Sequence, residues 1–262
     1  MAKKIKAQYD HNLRKKRLLY LSVYFFLACF FVYFIRPYYI ISILAVLVPP
    51  AIVNFLWIKK ERAKILMFSI ISVLLFAPPV ELMTRLVNVW DVQSIFPRPF
   101  GLIPLENMLF AFLNFFWVLS FYEYFIDRDR TRRISKKIKY LIGLYIMFSA
   151  LIFGLFFYNK NLVGANYFTL SFFVLILPSV FIFTREPFLI KKTILPTLFF
   201  AFIFFVYEIV SLQIGSWWWP GSYMYTFIIG GKILPLDDVV IWYFLSTPAL
   251  IGGYEFFVDD HK

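Results

Sequence analysis

Long apolar runs alternate with short polar or proline-containing breaks along this chain of 262 residues. Eight of the runs are long enough, or nearly long enough, to cross a bilayer, which takes about 20 residues of α-helix. The pattern therefore predicts an all-α integral membrane protein with eight transmembrane helices, a multi-pass protein of a cell membrane. We place the helices at 18–35, 38–58, 64–90, 104–126, 138–158, 166–184, 193–214 and 235–257.

Composition supports this class and excludes a soluble domain. Hydrophobic residues make up 61% of the chain and aromatic residues 23%, which is more than a soluble fold of this size can bury. The first apolar run is followed directly by a second and lacks a small-residue cleavage pattern. We therefore expect it to remain in the mature chain rather than to act as a cleaved signal.

Basic residues are concentrated in four segments, which alternate with weakly charged loops. Because Lys and Arg near span ends are retained on the cytoplasmic side, this alternation predicts that both termini are cytoplasmic. The net charge of +12 is then explained by topology and by attraction to anionic lipids at the cytoplasmic face. Nucleic acid need not be invoked as a partner. The segments are 14–17, 59–64, 128–139 and the stretch that holds Arg185, Lys191 and Lys192.

The two halves of the chain carry the same landmarks in the same order. Each half has a Glu in its third span, a Trp nine residues later, a Gly, a Pro-Leu-acid motif and a final Glu and Asp. The landmarks are Glu81, Trp90, Gly101, 104–107, Glu123 and Asp127 in the first half, and Glu208, Trp217, Gly231, 235–238, Glu255 and Asp259 in the second.

This recurrence predicts an internal repeat. Four spans in each half give both copies the same orientation, which makes the repeat parallel, with an axis near the membrane normal. The predicted organisation is a basic cytoplasmic N-terminal tail, a first four-helix repeat, a basic cytoplasmic linker and a second four-helix repeat, at 1–17, 18–127, 128–137 and 138–262.

Carboxylates within the spans are the most informative residues, since an ionisable group among lipid tails is costly and normally turns inward. Glu81 and Glu208 lie in the outer halves of their helices when the rise per residue is counted from the cytoplasmic ends. Glu106, Asp237 and Asp238 begin the next helices from that same side. We therefore predict a polar pocket in the outer half, lined by the third, fourth, seventh and eighth helices.

Each of these residues also has an ordinary structural interpretation. Glu81 could pair with Arg85, one helical turn on, and the motif acids could be simple N-terminal helix charges. The tryptophans could be interfacial anchors. The final acids of each half could be solvated or paired at the cytoplasmic ends. Glu208 has no basic residue within a turn of its own helix, so we expect it to be protonated or to share a proton.

Several chemistries are excluded by the residue inventory. The two histidines, His11 and His261, lie in the tails, and Cys29 is the only cysteine. A histidine dyad, a histidine metal site and a paired-thiol redox site are therefore not expected within the membrane. We predict neither a metal nor an organic cofactor.

The two loop-and-helix regions resemble a known family. The second half contains Glu208, Gly215, Trp217, Gly230, LPLDD at 234–238, Pro248 and Tyr254, and the first half contains Glu81, Thr84, Trp90, Gly101 and IPLEN at 103–107. In this order the residues resemble the membrane-integral lycopene cyclase domain of carotenoid biosynthesis, which occurs as two small subunits or as a fused tandem.

The resemblance implies a non-redox isomerase that forms end rings on a linear carotenoid. A carboxylic acid protonates the terminal double bond, the carbocation closes a ring, and a carboxylate accepts a proton. The implied candidates for acids are Asp237, Asp238 and Glu106, those for partners or bases are Glu81 and Glu208, and those for contacts with the isoprenoid or carotenoid substrate are Trp90, Trp217, Trp218, Asn107 and Thr84.

The chain departs from the family pattern in its acidic motif. Paired glutamates are replaced by Glu106-Asn107 in the first half and by Asp237-Asp238 in the second. Only the second half keeps two titratable groups, so we expect its acidic pair to matter more. A non-catalytic protein that binds or transports a polyisoprenoid or other lipid is the competing interpretation, and a proton-coupled carrier is a third without independent support.

The topology is testable with reporter fusions. Reporters inserted in the linker 128–137 and after Lys262 are both expected to read cytoplasmic, because basic segments flank the spans at both places. An external signal from either reporter would contradict the predicted orientation.

Overall fold

A computed structural model of the chain describes residues 2–128 and 133–259. Parts of the predicted linker and C-terminus, 129–132 and 260–262 with His261 and Lys262, lie outside the described residues. The described helices are α1 (Ala2–Ile35), α2 (Tyr39–Val46), α3 (Val48–Trp57), α4 (Arg62–Leu75), α5 (Ala77–Leu86), α6 (Leu105–Phe121), α7 (Ile138–Asn159), α8 (Tyr167–Ser171), α9 (Leu177–Arg185), α10 (Phe188–Ile214) and α11 (Thr247–Phe257).

Three π-helical segments continue these helices. Tyr122–Asp127 extends α6, Phe172–Ile176 joins α8 to α9, and Asp238–Ser246 leads into α11. Short 3₁₀ turns lie at Pro99–Gly101 and Lys160–Leu162. π-Helical turns are frequently found at functional sites, so the space between the two π-helical segments of the second half is a candidate site.

Seven helical runs among the described residues are long and apolar enough to cross a membrane. The chain is therefore an all-α, multi-pass membrane protein. The last predicted run is helical as well, through the π-helical segment Asp238–Ser246 and α11. The seven runs are Tyr9–Ile35, Tyr39–Trp57, Arg62–Leu86, Leu105–Asp127, Ile138–Leu162, Tyr167–Arg185 and Phe188–Ile214.

Several boundaries differ from those predicted by hydropathy. The first helix begins at Ala2 rather than at residue 18, because Lys and Arg are good helix formers and an apolar pattern does not mark where a helix starts. The third run ends at Leu86 rather than at residue 90. Asn88 adopts a positive φ of 53° there, and the chain turns into a short strand.

The helices of the two halves pack in equivalent ways. In the first half, α3 and α4 pack on α6; in the second, α9 and α10 pack on α11. The first helix of each half lies against the third helical run of the other half, since α1 packs on α10 and α7 packs on α4 and α5. Each half therefore packs its first helix against the other half, so the two halves do not form separate bundles.

Two short antiparallel ribbons are formed by segments of the chain that connect helices. Strand β1 (Asp91–Val92) pairs with β2 (Trp217–Trp218), so that equivalent loops of the two halves meet. Strands β3 (Thr226–Ile229) and β4 (Lys232–Pro235) form a hairpin within the second half. The β1–β2 ribbon fixes the two loops that follow α5 and α10.

At the other end of the helices, the halves exchange hydrogen bonds. The Tyr254 hydroxyl donates to Glu123 Oε1 at 2.6 Å, and the Tyr122 hydroxyl donates to Glu255 Oε1. All four residues are buried. Each half thus supplies one tyrosine and one glutamate, and each tyrosine donates to the glutamate of the other half.

Lysines bind the neighbouring aspartates in the same crossed manner. Lys192 Nζ lies 2.8 Å from Asp127 Oδ1 and 3.3 Å from Glu255 Oε1. Lys64 Nζ binds Asp259 and lies 2.5 Å from Glu61 Oε2. The final Glu and Asp of each half, which the sequence predicted to be either solvated or paired, are thus buried and have partners. We name the set Glu61, Lys64, Tyr122, Glu123, Asp127, Lys192, Tyr254, Glu255 and Asp259 the inter-half cluster.

The exchanged tyrosines are expected to stabilise the fold. Tyr254→Phe removes the donor to the buried Glu123 carboxyl group, and leaving a buried polar group without its partner costs about 1–3 kcal/mol. Tyr122→Phe should behave alike through Glu255. The control is Tyr158→Phe, whose side chain is 84% exposed. Denaturant unfolding in micelles measures the difference, and equal stability of all three variants would contradict the assignment.

Candidate functional site

A cavity of about 420 Å³ lies between the two halves. Its wall is largely apolar and aromatic, and its polar groups come from both halves. That volume falls in the range of about 300–1,000 Å³ typical of small-molecule sites. The polar wall residues include Glu81, Asn107 and Tyr39 from the first half, and Glu208, Asp238 and Tyr167 from the second.

In both halves, a residue with positive φ turns the chain so that a tryptophan contacts the intramembrane glutamate. Seven residues after Glu81, Asn88 has a φ of 53°, and seven residues after Glu208, Gly215 has a φ of 75°. Asn and Gly are the residues that end helices most readily in this left-handed conformation. The chain therefore reverses, and the tryptophan two residues further on returns to the carboxyl group.

In the first half the glutamate is part of an ion pair. Glu81 Oε1 accepts from Arg85 Nε at 2.9 Å, Trp90 Nε1 at 3.2 Å and Asn107 Nδ2 at 3.0 Å. Arg85 also binds Asp91 and donates to the Trp90 carbonyl at 2.8 Å. Glu81 and Arg85 are both buried, so this carboxylate has a fixed positive partner.

In the second half the glutamate is held by neutral donors. Glu208 Oε1 accepts from Trp217 Nε1 at 2.7 Å and from Trp219 Nε1 at 2.8 Å. Its side chain is buried, and among residues 2–128 and 133–259 no basic side chain forms an ion pair with it. The two halves thus use one geometry with different electrostatics.

The second polar position of each half shows the same contrast. The Tyr39 hydroxyl donates to Asn107 Oδ1 at 3.1 Å, and the Tyr167 hydroxyl donates to Asp238 Oδ1 at 2.6 Å. Both tyrosines begin the second helical run of their half. The first half therefore pairs an amide with an ion-paired Glu81, whereas the second half holds two carboxyl groups, Glu208 and Asp238, in one cavity.

The first acid of each motif lies outside the cavity wall. Glu106 accepts from the Ser94 hydroxyl at 2.8 Å and from the amides of Ile95 and Phe96 at 2.7 and 3.2 Å. Asp237 Oδ2 accepts from the Met224 amide at 2.9 Å. Both carboxyl groups hold the preceding loop. The structure thus separates Glu106 and Asp237 from Glu81, Glu208 and Asp238.

The predicted substrate contacts divide in the same way. Trp90, Trp217 and Asn107 line the cavity. Trp218 lies on β2 with 44% of its surface exposed and is not part of the cavity wall. The buried Thr84 hydroxyl donates to backbone carbonyls of its own helix, at 3.1 Å to Val80 and 3.0 Å to Glu81.

Sequence reasoning missed most of the polar and aromatic wall residues, among them Tyr39, Tyr167, Trp219 and Tyr243. The equivalent tyrosines could have been found, because each lies at the start of the second span of its half. Trp219 was hidden in a run of three tryptophans. The position of Tyr243 depends on the π-helical segment Asp238–Ser246, for which the sequence carries no simple signal.

The aromatic side chains form a contiguous surface beside the carboxyl groups. Trp90 and Trp219 meet edge to face at 6.2 Å, and Tyr167 contacts both rings at 5.7 and 6.0 Å. Such faces stabilise a nearby cation without supplying a nucleophile, by about 0.5–2 kcal/mol each. The site combines carboxyl groups, π faces and an apolar void.

Comparisons with known protein families, with curated proteins and with solved structures give no match to this chain. The residues of the cavity are therefore the evidence for the function of this chain.

The contrast between the two glutamates predicts unequal stability effects. Glu81→Gln removes one of the two carboxylates that bind Arg85 and should lower the free energy of unfolding by about 1–3 kcal/mol, the cost of removing one partner of a buried charged group. Glu208→Gln keeps an oxygen for both tryptophan donors and should change stability by less than about 1 kcal/mol. Denaturant unfolding in micelles measures both, and the account fails if Glu208→Gln is the more damaging.

Proposed function

We propose that this chain is a membrane isomerase of the lycopene cyclase type, which forms an end ring on a linear carotenoid. One observation carries the proposal: Glu208 and Asp238 share a largely apolar cavity with Trp217, Trp219 and Tyr167. Two carboxyl groups with neutral donors can hold and exchange a proton. The aromatic rings offer stabilisation to a carbocation.

In the proposed reaction, Asp238 is the acid. Its carboxyl proton adds to the terminal double bond of the polyene, and the electron pair of a second double bond closes the ring on the resulting cation. A proton leaves the neighbouring carbon to Glu208 and restores an alkene. Proton transfer within the pair then resets the site. One proton enters and one leaves the substrate, so no oxidant or reductant is needed.

Glu81 has a different proposed role. Arg85 at 2.9 Å favours the ionised form of a neighbouring carboxyl group, so Glu81 is suited to a fixed negative charge at the cavity wall. Such a preorganised charge stabilises a developing cation without giving or taking a proton. Asn107, which replaces the second acid in this half, keeps Glu81 oriented.

The second candidate function is a non-catalytic binder or carrier of a polyisoprenoid. The apolar wall of the cavity supports it as well. It predicts that the ligand is held unchanged and that neutralising Asp238 alters affinity alone. The internal pair of carboxyl groups favours the isomerase, because a site that only binds a hydrocarbon has no use for buried acids, which are costly in a membrane.

We also propose eight crossings, arranged as two parallel four-helix repeats with cytoplasmic termini. The crossed contacts of the inter-half cluster, the β1–β2 ribbon and the equivalent helix packing support the repeat. The even number of crossings agrees with the distribution of basic segments. The cavity then lies in the outer half of the bilayer and the inter-half cluster at its cytoplasmic face.

The function is tested in cells that accumulate lycopene. Expression of the chain should yield cyclised pigment, and Asp238→Asn should lower its formation about 10²-fold or more, the usual contribution of a general acid. Asp237→Asn is the matched control: it alters the adjacent carboxyl group, which holds the Met224 loop, and should keep most of the activity.

Unchanged lycopene, with the protein folded in the membrane, would contradict cyclase activity on this substrate. Equal activity of the Asp238→Asn variant and the parent would instead show that the acid lies elsewhere.

A further inference from the structure

The cavity has an asymmetric wall. In the first half, α1 packs on α2 as well as on α10. The equivalent helix of the second half, α7, packs along α4 and α5 and touches α11, while the following run of α8, the π-helical segment Phe172–Ile176 and α9 packs on α11. The cavity lies between α7 and that run.

Between α7 and the run that follows it there is a gap. Side chains on both sides of this gap line the cavity and are also exposed at the protein surface. Leu144 of α7 is 47% exposed and Phe173 of the π-helical segment is 62% exposed, yet both line the cavity. Pro178, one turn further on, is exposed and lines it too. The cavity is therefore continuous with the lipid-facing surface at this point.

The inner wall at the gap is held in place by aromatic contacts. Phe76 stacks on Tyr145 at 5.2 Å and lies 5.8 Å from Phe148. Both partners lie on the same face of α7 as Leu144 and Leu141, at helical spacing, and all of these side chains line the cavity. This face of α7 thus packs on Phe76 at the junction of α4 and α5 and, beside that contact, lines the same cavity as Asp238.

We infer that the gap between α7 and Phe172–Ile176 is a lateral portal, through which one end of a long isoprenoid chain enters from the bilayer. A void of about 420 Å³ is in the range of sites for drug-sized ligands, so we assign it to the end group of the chain alone. The end group occupies the cavity, and the rest of the chain passes between Leu144 and Phe173 into the lipid. A two-ended substrate is then processed one end at a time.

The identity of the chain rests on the proposed function, whereas the portal can be tested without turnover. Two geranylgeranyl probes are added to the protein in liposomes, one with a diazirine at its hydrocarbon end and one with a diazirine at mid-chain. After illumination, the labelled residues are mapped by mass spectrometry. The end probe should label cavity residues such as Ala111 and Trp242, and the mid-chain probe should label α7 and 172–176 at the portal.

Substitutions at the portal supply the controls. Leu144→Trp should reduce cavity labelling by an order of magnitude, and Leu144→Ala should preserve or increase it. Met147→Trp adds the same bulk to α7 at a side chain that is 64% exposed and does not line the cavity, and it should have no effect.

Cavity labelling that is absent, or that is unchanged by Leu144→Trp, would overturn the portal even if lycopene were cyclised. Portal-dependent labelling without any cyclised pigment would overturn the isomerase and leave the portal standing.

Discussion

A carboxyl group buried within a membrane must be compensated, and the cavity of this protein is organised around two different solutions. Desolvation disfavours the charged form of a buried carboxyl group unless a cation or several hydrogen-bond donors are close. Glu81 has the guanidinium of Arg85. Glu208 has the indole groups of Trp217 and Trp219. The two glutamates thus share a tryptophan contact but differ in their electrostatics, and the proposed roles of acid and fixed charge depend on that difference.

The same rule explains how the halves hold together. The carboxyl groups of the inter-half cluster are buried, and four of them have a hydroxyl or ammonium donor from the other half. Tyr254 donates to Glu123 and Lys192 to Asp127, and Tyr122 and Lys64 do the same for Glu255 and Asp259. Removing one half would leave these buried carboxyl groups without their donors. The polar contacts at one end and the β1–β2 ribbon near the carboxyl groups fix the halves, so the cavity between them has defined walls.

Part of this arrangement could be predicted from the sequence. Hydropathy located the membrane helices, and the recurrence of Glu with Trp nine residues later identified the two glutamates that line the cavity. The residues seven positions after each Glu, Asn88 and Gly215, are types that favour the left-handed conformation. That signal was present in the chain and explains why the tryptophans return to the carboxyl groups.

Other features could not be predicted. Asp237 and Asp238 are adjacent and chemically alike, yet one holds a loop and the other enters the cavity. That choice is made by the loop that supplies the Met224 amide and by Tyr167, a residue 71 positions away. Likewise, hydropathy cannot show which positions of α7 line the cavity, because lipid-facing and cavity-facing positions are equally apolar.

The central claim is that the proton of the site belongs to the second half. Infrared difference spectroscopy of the carboxylic C=O stretch tests it directly in the membrane-embedded protein. The account predicts a band of protonated carboxyl that is lost or shifted in Asp238→Asn and Glu208→Gln and retained in Glu81→Gln. A band that disappears in Glu81→Gln and persists in the other two variants would contradict it.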